Sequence, residues 1–258
     1  MKKVSLLSWN VNGVRAAHKK GFLSWLKAES PDVLGLQEIK AKTDQLPPEL
    51  LNPVGYHAVW NPAERPGYSG VAILSKEKPV STKKGLGIGR FDEEGRVVEA
   101  EFKEFTLLNI YFPNGGSGSE RLEFKLDFYE AALKHFAALV KSGKKLVVCG
   151  DYNTAHKPID LKHPKENEDV SGFLPQERAW IDRLIEKGFI DTFRVFNQQP
   201  EQYSWWDMRT RARERNAGWR IDYHFVSTNL KNNLEDAFLL PGVAGSDHCP
   251  AGLTLKFP

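Results

Sequence analysis

The chain has 258 residues, of which 41% are hydrophobic, and its 36 basic and 33 acidic residues give a formal net charge of +3. This length and balance allow one large core that needs no disulfide or metal staples, and we expect a single domain over residues 1–258. The two cysteines exclude a disulfide framework, and the lack of a long apolar run excludes a membrane span and a secretion signal, so we expect a cytoplasmic protein.

Strand-like runs, several of which alternate apolar and polar residues, recur along the whole chain. They predict strands over residues 3–9, 32–37, 56–61, 70–75, 96–102, 105–112, 145–152, 222–227 and 252–257. The helical spacing of apolar residues predicts helices over residues 21–30, from Ser119 to about Val140, and over residues 175–188. Because strands dominate and helices are irregularly spaced, the sequence predicts a four-layer α/β sandwich, with two mixed β-sheets face to face and helices outside.

Five short polar stretches adjoin apolar runs: "WNVNG", "LQEIK", "GDYNT", "RIDYHF" and "GSDHCP". The two-residue period of a strand places Asn10 with Asn12, and Asp151 with Asn153, on one face just past a strand end. Taken singly, each stretch is more typical of an ordinary turn than of a site. Strands that end in this way can nevertheless deliver polar side chains to a common rim.

Asp222 lies within a strongly apolar run, and a buried carboxylate needs a partner. His248 is the natural partner, because a carboxylate that accepts one imidazole N–H favours the charged ring and leaves the other nitrogen for chemistry. Glu38, Asp151 and Asp247 can supply oxygen ligands to Mg²⁺, whereas no cysteine–histidine spacing indicates zinc. Together with a basic rim, these groups indicate phosphate-ester chemistry.

The segment "RTRARERNAGWR" carries five arginines between residues 209 and 220. On charge alone, such a run is more typical of a solvated face than of a phosphate site. It remains a candidate for contacts to a nucleic-acid backbone, which would make binding sensitive to salt.

Eight motifs occur in a fixed order: "SWNVNG", "LQEIK", "GYSGVAI", "NIYFPNG", "GDYNTAH", "SGFLPQER", "NAGWRIDY" and "GSDHCP". From about Ser8 to Pro250, nearly the whole chain, this set resembles the exonuclease III family of apurinic/apyrimidinic (AP) endonucleases. The wider endonuclease/exonuclease/phosphatase superfamily shares the asparagine, glutamate, Asp-x-Asn and Asp-His elements. It generally lacks "GFLPQER" and "NAGWR", so these two motifs favour the DNA-repair branch.

The resemblance implies a DNase I-like fold and hydrolysis of the phosphodiester 5′ to an abasic site in double-stranded DNA. The cofactor would be Mg²⁺, with Mn²⁺ as a substitute, and the products a 3′-hydroxyl and a 5′-deoxyribose phosphate. It also implies 3′→5′ exonuclease or 3′-repair activity, and some relatives incise at damaged bases as well. We expect a monomer that associates with the nucleoid.

The resemblance further implies a role for each matched residue. Glu38 resembles the principal metal ligand, and the other expected ligands are Asn12, Asp247, Asp151 and Asn153. Asp151 would orient or deprotonate the attacking water, and Asp222 would orient His248 against the scissile phosphate. The expected donors to the developing phosphate charge are Asn153, Asn10 and Tyr111.

Substrate recognition is expected from aromatic and polar residues at the rim of the site. By resemblance, Trp219 and Trp205 would line the pocket for the flipped-out abasic sugar. DNA contacts are expected from Asn114, Asn167, Arg209 and Lys40. The loop after "YFPNG" departs from some relatives, which insert a cation from this loop into the duplex, because Ser117 carries no charge.

Two other functions stay open from the sequence. A nonspecific DNase or phosphatase on the same fold would share the polar groups and would cut intact duplex equally well. A catalytically inactive DNA-binding module is of a different class, and binding alone needs no cluster such as Glu38, Asp151, Asn153, Asp222 and His248.

Overall fold

The computed structural model describes residues 2–258, and each of the nine predicted strands is present in it. The strands are β1 (Lys2–Asn10), β2 (Val33–Gln37), β3 (His57–Asn61), β4 (Val71–Ser75), β5 (Ser81–Lys84), β6 (Val97–Glu101), β7 (Thr106–Tyr111), β8 (Leu146–Asp151), β9 (Phe189–Asp191), β10 (Trp205–Trp206), β11 (Gly218–Trp219), β12 (Asp222–Ser227), β13 (Leu234–Leu239) and β14 (Ala251–Phe257). The helices are α1 (Val14–Lys19), α2 (Phe22–Glu29), α3 (Pro48–Leu51), α4 (Gly89–Asp92), α5 (Ser119–Lys141), α6 (Pro175–Glu186) and α7 (Thr192–Phe196).

Two six-stranded sheets form the centre of this described region. Their strand orders are β13-β14-β1-β2-β4-β3 and β5-β6-β7-β8-β12-β9. In each sheet one neighbouring pair is parallel, β1 with β2 and β7 with β8, and the remaining pairs are antiparallel. The predicted pair of mixed sheets is therefore confirmed.

Alternation along the strands explains why the sheets and helices form layers. In β1, Val4 and Leu6 belong to the core between the sheets, whereas Leu7 and Trp9 pack in the layer of α1 and α2. On the second sheet, Leu107 faces the central core, and its neighbours along β7 pack under α5 and α6. Each such side chain contributes about 1.5–3 kcal/mol when fully buried, so the two-residue period fixes the face of every strand.

The three predicted helices correspond to α2, α5 and α6, and their ends follow the expected signals. Pro175 occupies the first turn of α6, where its missing N–H costs no hydrogen bond. Gly188 follows the helix with a φ of 89°, a left-handed conformation that suits glycine. No helix between residues 2 and 258 is long and apolar enough to cross a membrane.

The remaining elements were not predicted because they are short. The strands β5, β9, β10 and β11, and the helices α1, α3, α4 and α7, have two to six residues each, too few for a clear periodic signal. The six-residue β13 is as long as β7, but a register shift between Leu234 and Asp236 interrupts its pairing with β14. Asp222 also lies differently from the expectation. It does not interrupt a strand but is the first residue of β12, directly opposite Asp151 of β8.

The arginine run is not uniformly a solvated face. Arg220 is fully buried, and its guanidinium donates to Asp160 at 2.8 Å and to both oxygens of Asp191 at 3.1 and 2.7 Å. Arg194 donates to the same Asp160 oxygen at 2.6 Å. Arg213 donates to three backbone carbonyls of the 241–246 segment. Neither arginine is therefore free to bind a phosphate. The N–H donors of Arg220 are engaged by carboxylates, and those of Arg213 by backbone carbonyls.

The buried Asp160 predicts a pH-dependent contribution to stability. Burial raises the pKa of Asp160, but Arg220 and Arg194 outweigh it and lower the pKa to about 2. Because the folded pKa lies below the usual value of about 3.9, this stabilisation is complete above about pH 5 and declines as pH falls toward 2. We expect Asp160→Asn to lower the free energy of unfolding by about 3 kcal/mol at pH 7 and by about half of that at pH 3.

Urea unfolding of wild type and variant at both pH values measures this difference. Asp127→Asn is the matched control, because its partner Arg90 and Asp127 itself are both exposed, and we expect a change below about 0.5 kcal/mol at either pH. An Asp160→Asn effect of equal size at pH 7 and pH 3 would contradict the ion-pair account.

Candidate active site

One edge of the sandwich collects the ends of several strands. Asn10, Tyr111 and Asp151 are the last residues of β1, β7 and β8, and Glu38 directly follows β2. A cavity of about 390 Å³ opens at this edge. It is lined by Asn12, Glu38, Lys40, Tyr111, Asn114, Asn153, Val170, Ser171, Gly172, Trp205, Trp219, Ile221, Asp247 and His248.

The backbone around this cavity is held in unusual conformations. Asn12, Glu38 and Asn153 have φ values of 45°, 50° and 50°, in the left-handed region that non-glycine residues seldom adopt. Just before Asp151, Gly150 has a φ of 140°, and a Cβ there would lie 1.8 Å from the carbonyl oxygen of Ile110. Such strain is kept where the surrounding structure over-determines it, which is common at functional sites.

Asn10 joins the two carboxylates at the centre of the site. Its side-chain Nδ2 donates to Glu38 Oε1 at 3.0 Å and to Asp151 Oδ2 at 2.9 Å, and it is completely buried. Glu38 Oε1 also accepts from the Tyr111 hydroxyl at 2.6 Å. In this structure both amide hydrogens of Asn10 are thus engaged, one by each carboxylate.

Asp151 faces a histidine that a second carboxylate orients. The Nε2 atom of His248 lies 3.8 Å from Asp151 Oδ2, and its Nδ1 lies 2.8 Å from Asp222 Oδ2. The same Asp222 oxygen accepts from the Ser204 hydroxyl at 2.6 Å, and all four side chains are buried. The ring of His248 is therefore fixed in orientation, with Nδ1 toward Asp222 and Nε2 toward Asp151.

The electrostatics of this group follow from burial and from the opposite charges within it. Burial lowers the pKa of His248, but Asp222 and Asp151 outweigh that effect and raise the pKa above its ordinary value. Burial raises the pKa of Asp151, and the neighbouring His248 cation only partly offsets this. At neutral pH the ring is therefore a cation, and the Asp151 carboxylate is a stronger base than an exposed aspartate.

Lys40 shows where a metal cation would fit. Its Nζ lies 2.6 Å from Glu38 Oε2 and 2.5 Å from Asn12 Oδ1, so an ammonium bridges two oxygen atoms at the mouth of the cavity. Burial raises the pKa of Glu38, but Lys40, Tyr111 and Asn10 outweigh it and lower the pKa. Asp247 adjoins this oxygen pair, because its Oδ1 accepts from Asn12 Nδ2 at 3.0 Å. Carboxylate and amide oxygens are the donors that Mg²⁺ and Mn²⁺ take, so these residues fit such an ion.

A second group that could hold a metal consists of Asp151, Asp222 and His248. One potential ligand atom from each of these residues lies within 4.8 Å of the other two. In this group Asp222 Oδ2 is already engaged by His248 and Ser204, whereas His248 Nε2 and Asp151 Oδ2 are 3.8 Å apart, too far for a direct hydrogen bond. The oxygen pair of Glu38 and Asn12 is therefore the better candidate for a metal site, and the Asp151, His248 and Asp222 group lies beside it.

Two tryptophans form a wall of the cavity. Trp205 and Trp219 pair across β10 and β11, with ring centroids 6.3 Å apart in an edge-to-face arrangement. The indole Nε1 of Trp205 donates to Asp247 Oδ2 at 3.1 Å, which connects this wall to the polar group. Asn114 lies across the opening and donates to Asn153 Oδ1 at 3.0 Å.

Two of the residues expected to contact DNA do not line the cavity. Within residues 2–258, the cavity lining does not include Asn167, which donates to the His163 carbonyl at 2.6 Å, or Arg209, whose side chain is 94% exposed.

The structure also adds two residues that sequence reasoning missed. Ser204 holds Asp222, and the buried Arg96 lies 4.6 Å from the Tyr111 ring and donates to the Tyr111 carbonyl at 2.8 Å. The only signal for Arg96 in the sequence was its position at the start of the predicted strand over residues 96–102.

Comparison with known proteins places this geometry in context. The family model described as the Endonuclease/Exonuclease/phosphatase family matches residues 7–248. An exodeoxyribonuclease from Bacillus subtilis (strain 168) is 44% identical over 98% of this chain and 100% of its own length. A DNA repair nuclease from Danio rerio is 40% identical over 98% of this chain and 82% of its own. The crystal structure of an AP endonuclease from Leishmania major matches with a TM-score of 0.90 and 30% identity, covering 100% of this chain and 89% of that one.

The position of Lys40 predicts that it competes with a metal ion. Replacing Lys40 with glutamine removes a positive charge within 3 Å of Glu38, and two charges 4 Å apart interact by about 1–4 kcal/mol near a protein surface. We expect Lys40→Gln to bind Mn²⁺ about tenfold more tightly than wild type, as measured by calorimetry or Mn²⁺ spin resonance without DNA. Lys42→Gln, in the same loop, should leave the affinity unchanged. Weaker Mn²⁺ binding by Lys40→Gln would contradict this assignment.

Proposed function

This chain belongs to the endonuclease/exonuclease/phosphatase family, in the branch of exodeoxyribonucleases and AP endonucleases, and from that premise we propose that it is a DNA-repair phosphodiester hydrolase. Membership confirms the resemblance that the eight motifs indicated. The substrate is double-stranded DNA with an abasic site, and the bond broken is the phosphodiester on the 5′ side of that site. The products are a 3′-hydroxyl and a 5′-deoxyribose phosphate, and removal of 3′-terminal groups or nucleotides is an accompanying activity.

One observation carries this proposal: a base, Asp151, and a cation, His248, face each other beside the cavity that His248 lines. Asp151 Oδ2 and His248 Nε2 are 3.8 Å apart. Asn10 donates a hydrogen bond to Asp151, and Asp222 is hydrogen-bonded to His248 Nδ1. Hydrolysis of a phosphodiester needs a base for the attacking water and donors for the charge that develops on the phosphate oxygens. This pair meets both requirements in one place.

In the proposed reaction, Asp151 accepts a proton from the water that attacks phosphorus, in line with the 3′ oxygen of the nucleotide on the 5′ side of the abasic site. The bond between phosphorus and this 3′ oxygen breaks, the phosphate stays on the 5′ carbon of the abasic deoxyribose, and a proton from solvent completes the 3′-hydroxyl. The cationic Nε2–H of His248 donates to a non-bridging phosphate oxygen and is retained as a cation throughout. Asp222 keeps the ring in this orientation through Nδ1. The raised pKa of Asp151 suits it to take the proton, so His248 acts as a charged clamp and Asp151 as the base.

The family depends on a divalent metal, and we assign Mg²⁺ with Mn²⁺ as a substitute. Glu38 and Asn12 would hold it directly, with Asp247 beside them. When bound, the ion neutralises charge on the phosphate, as divalent ions do in phosphoryl transfer. The Lys40 ammonium occupies the same oxygen pair, so it would have to move away when a metal ion binds there. A nearby DNA phosphate is the natural new partner for this ammonium.

The cavity supports selectivity for a nucleotide that has lost its base. Its wall combines Trp205 and Trp219 with the aliphatic Val170 and Ile221, an apolar surface that fits a deoxyribose ring. Extruding an abasic nucleotide is cheap, because neither base pairing nor base stacking remains to be broken. The apolar wall and the low extrusion penalty together favour abasic sites over intact nucleotides.

A duplex with a single tetrahydrofuran abasic analogue tests this function. We expect Mg²⁺-dependent incision directly 5′ to the analogue, a 3′-hydroxyl on the upstream product, and loss of activity in EDTA. Equal cutting of the matched intact duplex would instead indicate a nonspecific DNase, and binding without incision would indicate a DNA-binding module.

The residue roles are checked on the same duplex with His248→Ala and Asp151→Asn, each of which should lower the single-turnover rate at least about 10²–10³-fold. His57→Ala, on the remote and exposed start of β3, is the control and should cut normally.

A further inference from the structure

A buried ion pair lies behind the cavity, outside the groups that face it. Lys125 of α5 and Glu177 of α6 are both 0% exposed, and Lys125 Nζ lies 2.5 Å from Glu177 Oε1. The other two ammonium hydrogens are directed at the Asn153 carbonyl, at 2.7 Å, and at the Thr154 hydroxyl, at 2.8 Å. All three donors of Lys125 are therefore used, and two of them hold the segment that follows β8.

Glu177 holds the segment on the other side. Its Oε2 accepts from the backbone N–H of Gly172 at 2.6 Å and of Leu174 at 3.0 Å. Its Oε1 accepts from the Ser171 hydroxyl at 3.0 Å in addition to Lys125. The carboxylate thus fixes the 171–174 segment, which supplies two residues of the cavity lining.

The two segments meet at the cavity wall with little room to shift. A Cβ on Gly172 would lie 3.0 Å from the Trp219 ring and 3.3 Å from the Asn153 carbonyl oxygen. Asn153 is in the left-handed region, with a φ of 50°, and its side chain donates to the Phe112 carbonyl at 2.9 Å. The Lys125 ammonium binds the carbonyl of this strained residue and so stabilises a conformation that asparagine adopts at some energetic cost.

Stability alone does not explain such a pair. Removing two charges from water is so unfavourable that buried ion pairs can often be replaced by neutral residues of similar shape without loss of stability. What a neutral replacement loses is the set of directed, charge-assisted hydrogen bonds that define the positions of the two segments. The main effect of the Lys125–Glu177 pair is therefore to fix the positions of the two segments relative to each other.

We propose that Lys125 and Glu177 are positioning residues that set the distance between Asn153 and the Gly172–Trp219 wall, and thereby the seating of the sugar and phosphate in the cavity. This inference rests on the proposed function, since the seated group is the abasic nucleotide. Displacement of a reacting group by about 1 Å typically lowers a rate about 10²-fold. The expected defect is therefore in the chemical step, with DNA affinity largely retained.

The test compares Lys125→Met/Glu177→Gln, which removes both charges but keeps the side-chain shapes, with wild type on the single-abasic duplex. We expect the single-turnover rate to fall about 10–100-fold, while the Kd for DNA changes less than about threefold and Tm stays within a few degrees. Lys125→Arg keeps the charge and should restore most of the rate. The matched control is Arg183→Met/Glu130→Gln, an exposed ion pair between the same two helices, which should cut at the wild-type rate.

Two results would overturn the proposal: an unchanged single-turnover rate in the folded double variant, or a loss confined to DNA affinity. If the double variant does not fold, Thr154→Val serves in its place, because it is isosteric and removes one acceptor of Lys125, together with the contacts of the same hydroxyl to Tyr129 and to the Asn153 carbonyl. We expect a several-fold lower rate, and an unchanged rate would again reject the inference. Failure of wild type to cut the abasic duplex would instead reject the proposed function, so the two failures are distinct.

Discussion

The side-chain amide of Asn10 is the contact on which the site depends. Glu38 and Asp151 lie next to each other in a poorly solvated setting, where like charges repel and one carboxylate tends to take up a proton. Asn10 donates one hydrogen to each, while Lys40 and His248 place a positive charge on either side. Two carboxylates with different tasks, a metal ligand and a base, can therefore coexist within one small volume.

The fold supplies this arrangement through its strand ends. In each sheet a parallel pair sends two carboxyl ends to the same edge, and the antiparallel strand β12 begins there, opposite the end of β8. The residues just beyond the strands adopt left-handed conformations, and backbone hydrogen bonds hold their segments in place. The buried pair of α5 and α6 extends this support to the cavity wall, so the outer helices contribute to the site without lining it.

Prediction from sequence succeeded where the signal is local. The two-residue period predicted nine of the strands, and the placement of Asn10 and Asp151 at strand ends predicted a common rim. It failed where a contact joins distant positions. Arg220 was assigned to an exposed run because its partners are 60 and 29 residues away, and the two carboxylate partners of Asn10 are 28 and 141 residues away. No periodicity or composition encodes such pairings, so the sequence did not reveal that Asn10 joins Glu38 to Asp151.

The most direct test of this account is the single-turnover incision rate of Asn10→Leu on a duplex with one abasic site, at saturating Mg²⁺ and enzyme. Leucine has a similar shape but cannot donate to either carboxylate. The account predicts a rate at least about 10²-fold below wild type in a variant that remains folded. A folded Asn10→Leu variant that cuts at nearly the wild-type rate would contradict it, because the bridge between Glu38 and Asp151 would then be dispensable.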